Sequence, residues 1–260
     1  MGNICCRCCT CENDSDSSES NIRTPLLGSQ ASNSQSTNND SQSARRYNPR
    51  EYKSQFENYT ESLTVTEMIT VPVASMDKKF KDLSKQYNDA VDADKNLQLE
   101  IHNLKTYFVV ETSGIPVLKE CLKILASRCG VAKITIERKS RTFLEVSYDP
   151  QDVSENCTVS PEQVLEPLRH YKTAFKHAKV VLQHTPKIKE TISVIINDKQ
   201  TMLREIAEVD PMRDGGAEGM KAIMSNIKKL KQMNLNINDV QRRTEQTCKE
   251  LIDASKSFCV

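Results

Sequence analysis

The chain has no tryptophan, and Phe and Tyr supply its whole aromatic content of 5%. A core built from it has to be mostly aliphatic. Glycine is scarce too, at seven residues. Phosphate-cradling loops use glycine where the backbone comes close to a ligand, and neither Gly-x-x-x-x-Gly-Lys nor Gly-x-Gly-x-x-Gly occurs. Gly-x-Ser-x-Gly and His-Glu-x-x-His are also missing. The motifs point to no enzyme class, and the expectation is a non-enzymatic chain with no cofactor and no catalytic or metal-ligating residues. Hydrophobic residues make up 37% of the sequence, against about 45–50% in ordinary globular domains. That shortfall predicts either a small core or a substantial part that never folds. No apolar run approaches the ~20 residues needed to cross a bilayer, and the N-terminus lacks the apolar centre of a secretory signal. The chain is therefore expected on the cytosolic side, where thiols stay reduced and its ten cysteines form no disulfide framework. Basic and acidic residues nearly cancel, 36 against 35. With that balance, no zinc-finger spacing and no aromatic interleaving, nucleic acid is not an expected partner.

Thiols, by contrast, are concentrated at one end. Gly2 follows Met1, and Cys5, Cys6, Cys8, Cys9 and Cys11 come directly after. An exposed Gly2 amine can carry a myristoyl chain and nearby cysteines can carry palmitate. One myristoyl chain binds a bilayer with only roughly 10⁴ M⁻¹, so stable anchoring takes a second signal. This segment supplies both, although Cys6 stands where the myristoylation pattern has Ser or Thr. The first eleven residues resemble the N-termini of dually acylated signalling proteins such as some Src-family kinases and G-protein α subunits. The resemblance covers those residues alone and implies an acyl anchor, not a fold. The rival chemistry is a thiolate metal site, since Cys5/Cys8, Cys6/Cys9 and Cys8/Cys11 all have zinc-type spacing. No second pair lies close by to complete it.

Within residues 12–60, the run from Glu12 to Arg46 is dominated by Ser, Asn, Asp and Gln, with Ile22 and Pro25-Leu26-Leu27 as its main apolar spots, a composition that cannot bury enough apolar surface to fold. They predict a disordered tether. Residues 61–260 predict a mainly α-helical body, an elongated bundle or coiled coil with a small β-hairpin insertion. Residues 61–73 favour a short strand or an extended lead-in. From about residue 76 to 110, Phe80, Leu83, Tyr87, Ala90, Leu97, Ile101, Leu104 and Phe108 recur at steps of three and four, with a break at Asp94. A short helix is expected from about Pro116 to Gly130, and a hairpin over about 131–148. A loop is expected from Asp149 to Val159, then a helix start at Ser160-Pro161 closed by Gln163 as a capping box. Pro167 predicts a kink or a second start, and Thr185-Pro186 predicts a new helix reaching about Val209. Asp210-Pro211 and Gly215-Gly216 break the chain. A last helix, about 217–257, carries Ile223, Ile227, Leu230, Met233, Ile237, Val240, Cys248 and Leu251, with Thr244 filling one step and a weak point at Asn234–Asn238. The seams need partners, either within the chain or from another subunit.

Among candidate surfaces, Arg169, Lys172, Lys176 and Lys179 share one helix face and form a basic ridge suited to acidic lipid. A solvated bundle face accounts for the same pattern. His170, His177 and His184 lie two turns apart, too far to share a metal ion, and are expected to be exposed. Lys228, Lys229 and Lys231 read as a solvated face. Cys121, Cys129, Cys157 and Cys248 read as buried or incidental thiols. An unlisted enzyme site would show as a deep polar pocket near Glu137, Glu145 or Tyr148. The terminal Phe258 and Val260 could add as a strand to a PDZ groove, though apolar chain ends are common and account for the same residues. The expected function is a lipid-anchored adaptor or scaffold on a cytosolic membrane face, docking partner proteins through its helical seams in trafficking or signalling.

Overall fold

The computed structural model describes residues 65–112, 116–140, 142–209 and 215–258. The acylation segment, the tether, residues 61–64 of the lead-in, Asp210-Pro211, Cys259 and Val260 lie outside the described residues. Those that are described form six α-helices and one antiparallel hairpin. Helices α1 (Ala74–Thr106), α2 (Leu118–Arg128), α3 (Pro150–Asn156), α4 (Glu162–Asn197), α5 (Lys199–Val209) and α6 (Gly215–Ser255) flank strands β1 (Ile134–Ser140) and β2 (Phe143–Tyr148). A 3-10 turn, Lys256–Phe258, follows α6.

Three long helices make the frame. In α1 the seam from Phe80 to Leu104 is buried throughout. It packs on α4, which runs antiparallel to it, as the pairing of Glu100 with His170 near the start of α4 shows. Helix α6 runs parallel to α1, because Tyr87 meets Asn236 and Asp94 meets Thr244 further along both helices. The seams are thus filled by this chain's own helices. Two apolar clusters result. One joins the C-terminal half of α1 with α2, the hairpin, the first half of α4 and the end of α6. The other joins the N-terminal half of α1 with the second half of α4, α5 and the start of α6. Both seam interruptions, Asp94 and Thr244, fall at the division and face one another at 3.1 Å.

The hairpin follows the expected alternation. Ile134, Ile136, Leu144 and Val146 point inward and are buried. Glu137 and Glu145 sit opposite each other in register on the outer face, where Lys139 bridges them at 2.6 and 3.1 Å. Before the hairpin, Gly130 has φ +61° and ends the α2 segment as its position suggests. A Cβ there would come within 2.5 Å of the Asn156 carbonyl oxygen, so no other residue fits without a backbone shift.

Several local expectations give way. The segment read as a loop after Asp149 contains α3. Asp149 accepts from the Gln151 amide at 3.0 Å and Pro150 occupies the first helical turn, a helix start of the same kind as Ser160-Pro161. The capping box at Ser160 does not form: α4 starts without a side-chain cap, and the Gln163 amide donates to the Ser160 carbonyl. Neither Pro167 nor Pro186 ends α4, which is continuous over 36 residues. Pro167 has no N–H to offer the Gln163 carbonyl, and Arg128 Nη1 donates to it instead at 3.3 Å. Around Pro186, burial of Val181, Thr185, Ile188 and Ile192 on one face holds the helix together. The break comes later, at Asp198. Helix α6 runs unbroken through Asn234–Asn238, where Asn236 donates to the Tyr87 hydroxyl at 3.1 Å and Asn238 to the Asn234 carbonyl at 2.7 Å.

Candidate functional site

The lead-in before α1 is extended, as one of the two sequence expectations has it, and lies between α1 and α6. In an extended chain successive residues direct their N–H and C=O groups to opposite sides. Thr66 turns toward α1. Asn88 Oδ1 accepts its N–H at 3.0 Å, and Asn88 Nδ2 donates to its carbonyl at 3.2 Å. The Ser84 hydroxyl, one helical turn away, donates to the same carbonyl. Three residues further on the parity reverses, and Ile69 turns toward α6. There Asn226 Oδ1 accepts the Ile69 N–H at 2.8 Å and Nδ2 donates to the Ile69 carbonyl, also at 2.8 Å. Glu67 has the parity of Ile69, and its carbonyl accepts from Lys229 Nζ on α6.

Each asparagine thus exchanges both hydrogen bonds with a single backbone residue, as a residue of an antiparallel neighbour strand would. Asn226 is fully buried on the apolar stripe of α6, and both ends of its amide are used. Toward α1 the contact becomes apolar. Val71 is 2% exposed, and its N–H donates to Asp77 Oδ1 at 3.1 Å. Hydrogen bonds from Lys81 and from that amide hold the Asp77 carboxyl below its ordinary range. Pro72 lies on Gly219, where a Cβ would sit 2.9 Å from the Pro72 ring and 3.0 Å from Ile206. Glycine in the first turns of α6 is what lets this strap, residues 65–72, lie flat. The clamp holds backbone and leaves side chains largely unread, since Ile69 is 43% exposed and Val65 58%.

A second concavity, of about 320 Å³, lies between α1, the end of α4 and α5. Met76, Leu83, Ile195 and Met202 form its apolar floor, with Lys79, Asp82, Asp198 and Glu205 around it.

The basic ridge is present on α4, with part of its charge engaged inside the molecule. Arg169 is paired with Glu166 at 2.6 Å. Lys172 lies over the Tyr148 ring at 5.6 Å and Lys179 over Phe143 at 5.0 Å, which ties the hairpin to α4. Lys176 is exposed. In the other cluster Lys228 and Lys231 are exposed and Lys229 serves the strap.

The histidines depart from expectation. His184 is exposed, His177 is half-buried, and His170 is buried with Nδ1 2.5 Å from Glu100 and its ring near Tyr107. They differ because α1 covers the side of α4 that His170 shares with the core. Among the described residues no group of three or more His, Cys, Asp and Glu is arranged to hold a metal ion. Burial holds His177 below the ordinary imidazole range, with Glu100 opposing it. Burial and then Lys105 do the same to His102. Below about pH 6.5, the unperturbed value, the unfolded chain binds protons at these two positions more readily than the folded chain. Their contribution to stability is therefore present above that pH and is lost as pH falls below it through their lower folded-state values. The urea midpoint is expected to drop between pH 7.5 and 5.5, and to drop less in His102→Gln/His177→Gln.

Cys121, Cys129 and Cys248 are buried, and burial pushes their thiols up to about 11, 12 and 12. Such thiols are inert at neutral pH. Cys157 is half-buried, its thiol 3.0 Å from the Val159 carbonyl. Glu137 and Glu145 are exposed and bridged by Lys139, and the apolar inner face of the hairpin packs into the core. Phe258 is 3% exposed and stacks on Tyr171, so the first residue of the PDZ-ligand alternative is packed against the bundle.

The residues that build the clamp, Ser84, Asn88, Asn226 and Lys229, carry no recognisable motif. One signal was present: Asn226 lies in the apolar stripe between Ile223 and Leu230, where a polar residue needs partners for its whole amide. Compared with models of known families, with curated proteins and with solved structures, the chain finds no match.

Proposed function

We propose that this chain is a lipid-anchored adaptor on a cytosolic membrane face. Acyl groups on Gly2 and among Cys5, Cys6, Cys8, Cys9 and Cys11 hold it to the bilayer, residues 12–60 give it reach, and the helical body docks a partner protein. No described helix is long and apolar enough to cross a membrane, and the reading relies on peripheral attachment. The single observation that supports it best is the junction between tail and body. The chain arriving from the cysteine-rich tip is gripped at Thr66, Glu67, Ile69 and Val71 by side chains from two helices. A pull on the tether is therefore borne first by hydrogen bonds to Asn88 of α1 and Asn226 of α6, ahead of the Val71 bond to Asp77 in the first turn of α1. The seams of α1, α4 and α6 are filled from within, so partner docking falls to the surface that remains.

Gly2→Ala, or replacement of the five N-terminal cysteines by Ser, is expected to weaken membrane recovery from eukaryotic cells, and the combined variant is expected in the soluble fraction. Intact mass with and without hydroxylamine reports amide-linked and thioester-linked chains together. Continued membrane recovery of the combined variant, or an unmodified mass for the parent chain, overturns lipid anchoring. Stoichiometric zinc in the reduced protein would favour the thiolate reading of the tip instead.

A further inference from the structure

We propose that the groove between α1 and α6 is a docking site for an extended segment of a partner protein, with residues 65–72 as its intramolecular occupant. The proposal rests on the adaptor reading for its biological setting, but its chemistry comes from the groove. Two carboxamides on opposite walls read two backbone residues three apart, and the spacing matches the alternation of an extended strand. Recognition of this kind takes affinity from main-chain bonds and selectivity from a few pockets, as when a peptide adds to a sheet edge. The selective positions here are Met68, which packs on the core, the buried Val71, and Pro72 against Gly219. The partner segment is therefore extended, has free N–H groups at the positions of Thr66, Ile69 and Val71, an apolar side chain at the last of these, and proline next.

The strap is built to leave without taking the bundle with it. Val65 and Ile69 contribute little burial. The first turn of α1 bonds to the Val73 carbonyl, beyond the clamp, through the Met76 and Asp77 amides at 3.1 and 3.0 Å. Only Val71 belongs to the apolar cluster beneath as a fully buried residue of the strap. Because the occupant is attached, its effective concentration is on the order of millimolar. A partner in trans wins only when the strap is weakened or when both proteins are concentrated on one membrane.

The test uses the full, unacylated chain and a fluorescein-labelled peptide of residues 64–73, read by fluorescence anisotropy. Thr66→Pro/Ile69→Pro removes the two strap N–H donors that the asparagines accept, leaves that of Val71 to Asp77, and touches no fully buried side chain. It is expected to bind the peptide at least fivefold tighter than the parent chain. Ile69→Pro alone is the second opened variant should the double change disturb folding, with the same fivefold threshold. N-methylation of the peptide at Ile69 is expected to cost at least tenfold, and Ile69→Lys in the peptide less than threefold. A gain below fivefold on opening, or equal sensitivity to N-methylation and Ile69→Lys, overturns the proposal. Since no acyl chain is involved, failure here leaves the anchoring result untouched, and failure of anchoring leaves this one intact.

Discussion

Arg243→Met together with Thr244→Val is expected to lower stability by about 3 kcal/mol, and adding Asp94→Leu is expected to restore most of it. Asp94 is fully buried at the division between the two apolar clusters. It accepts from the Thr244 hydroxyl at 3.1 Å, and Arg243 Nε lies 3.6 Å from its other oxygen. Stripping partners from a buried ion costs about 3–5 kcal/mol, whereas replacing the whole group by apolar residues is often neutral or stabilising. The lower end applies here, because the Arg243 side chain is 35% exposed and its share of the attraction is partly screened. The measurement is urea unfolding of the parent, double and triple variants. A triple variant as weak as the double one would show that the layer's energetics do not centre on the Asp94 charge. The layer also has a topological consequence. An unbroken apolar seam tolerates sliding by a turn, whereas a buried carboxylate facing a hydroxyl does not, so the parallel register of α1 and α6 is fixed at this level.

What the sequence revealed about this body was its periodicity, and what it hid was its pairing. The interruptions at Asp94 and Thr244 are visible as gaps in two apolar repeats. That one gap answers the other, 150 residues away, is set by tertiary packing. The prolines misled for a related reason. Pro167 removes one helical hydrogen bond, and local rules have no knowledge of the Arg128 side chain that takes up the orphaned carbonyl. The Asp149-Pro150 start signal was as legible as the one at Ser160, yet α3 has only seven residues and shows no apolar stripe to draw the eye. The strap was legible as an extended lead-in from its β-branched residues. Its clamp was not, because an asparagine on a helix reads as a weak helix former until its neighbours are known to bury it. Of the candidate surfaces, the four ridge residues all lie on α4, but the hairpin aromatics beneath Lys172 and Lys179 come from a distant stretch of chain.

Asn226→Leu is expected to free the strap while leaving the bundle folded, and this separates a clamp from an ordinary core position. Leucine continues the stripe of Ile223, Ile227 and Leu230, so the apolar cluster loses no apolar side chain. The strap loses two hydrogen bonds, each worth roughly 1 kcal/mol net. Together they amount to about 2 kcal/mol, or close to a thirtyfold shift toward the open strap, at a factor of ten per 1.4 kcal/mol. Because the freed Ile69 groups can reach water once the strap lifts, the penalty is capped at the strap's own docking energy and does not spread into the helices. Native-state hydrogen exchange reads this directly. The amides of Thr66 and Ile69 are expected to exchange about ten to thirty times faster, including that of Thr66, whose own partner Asn88 is untouched. Amides in the middle of α1 and α4 are expected to keep their protection. Unchanged exchange at Ile69 would show that Asn226 does not hold the strap. Acceleration at Ile69 without Thr66 would mean that the two walls of the groove act separately, so that an incoming segment could be gripped at one asparagine without engaging the other.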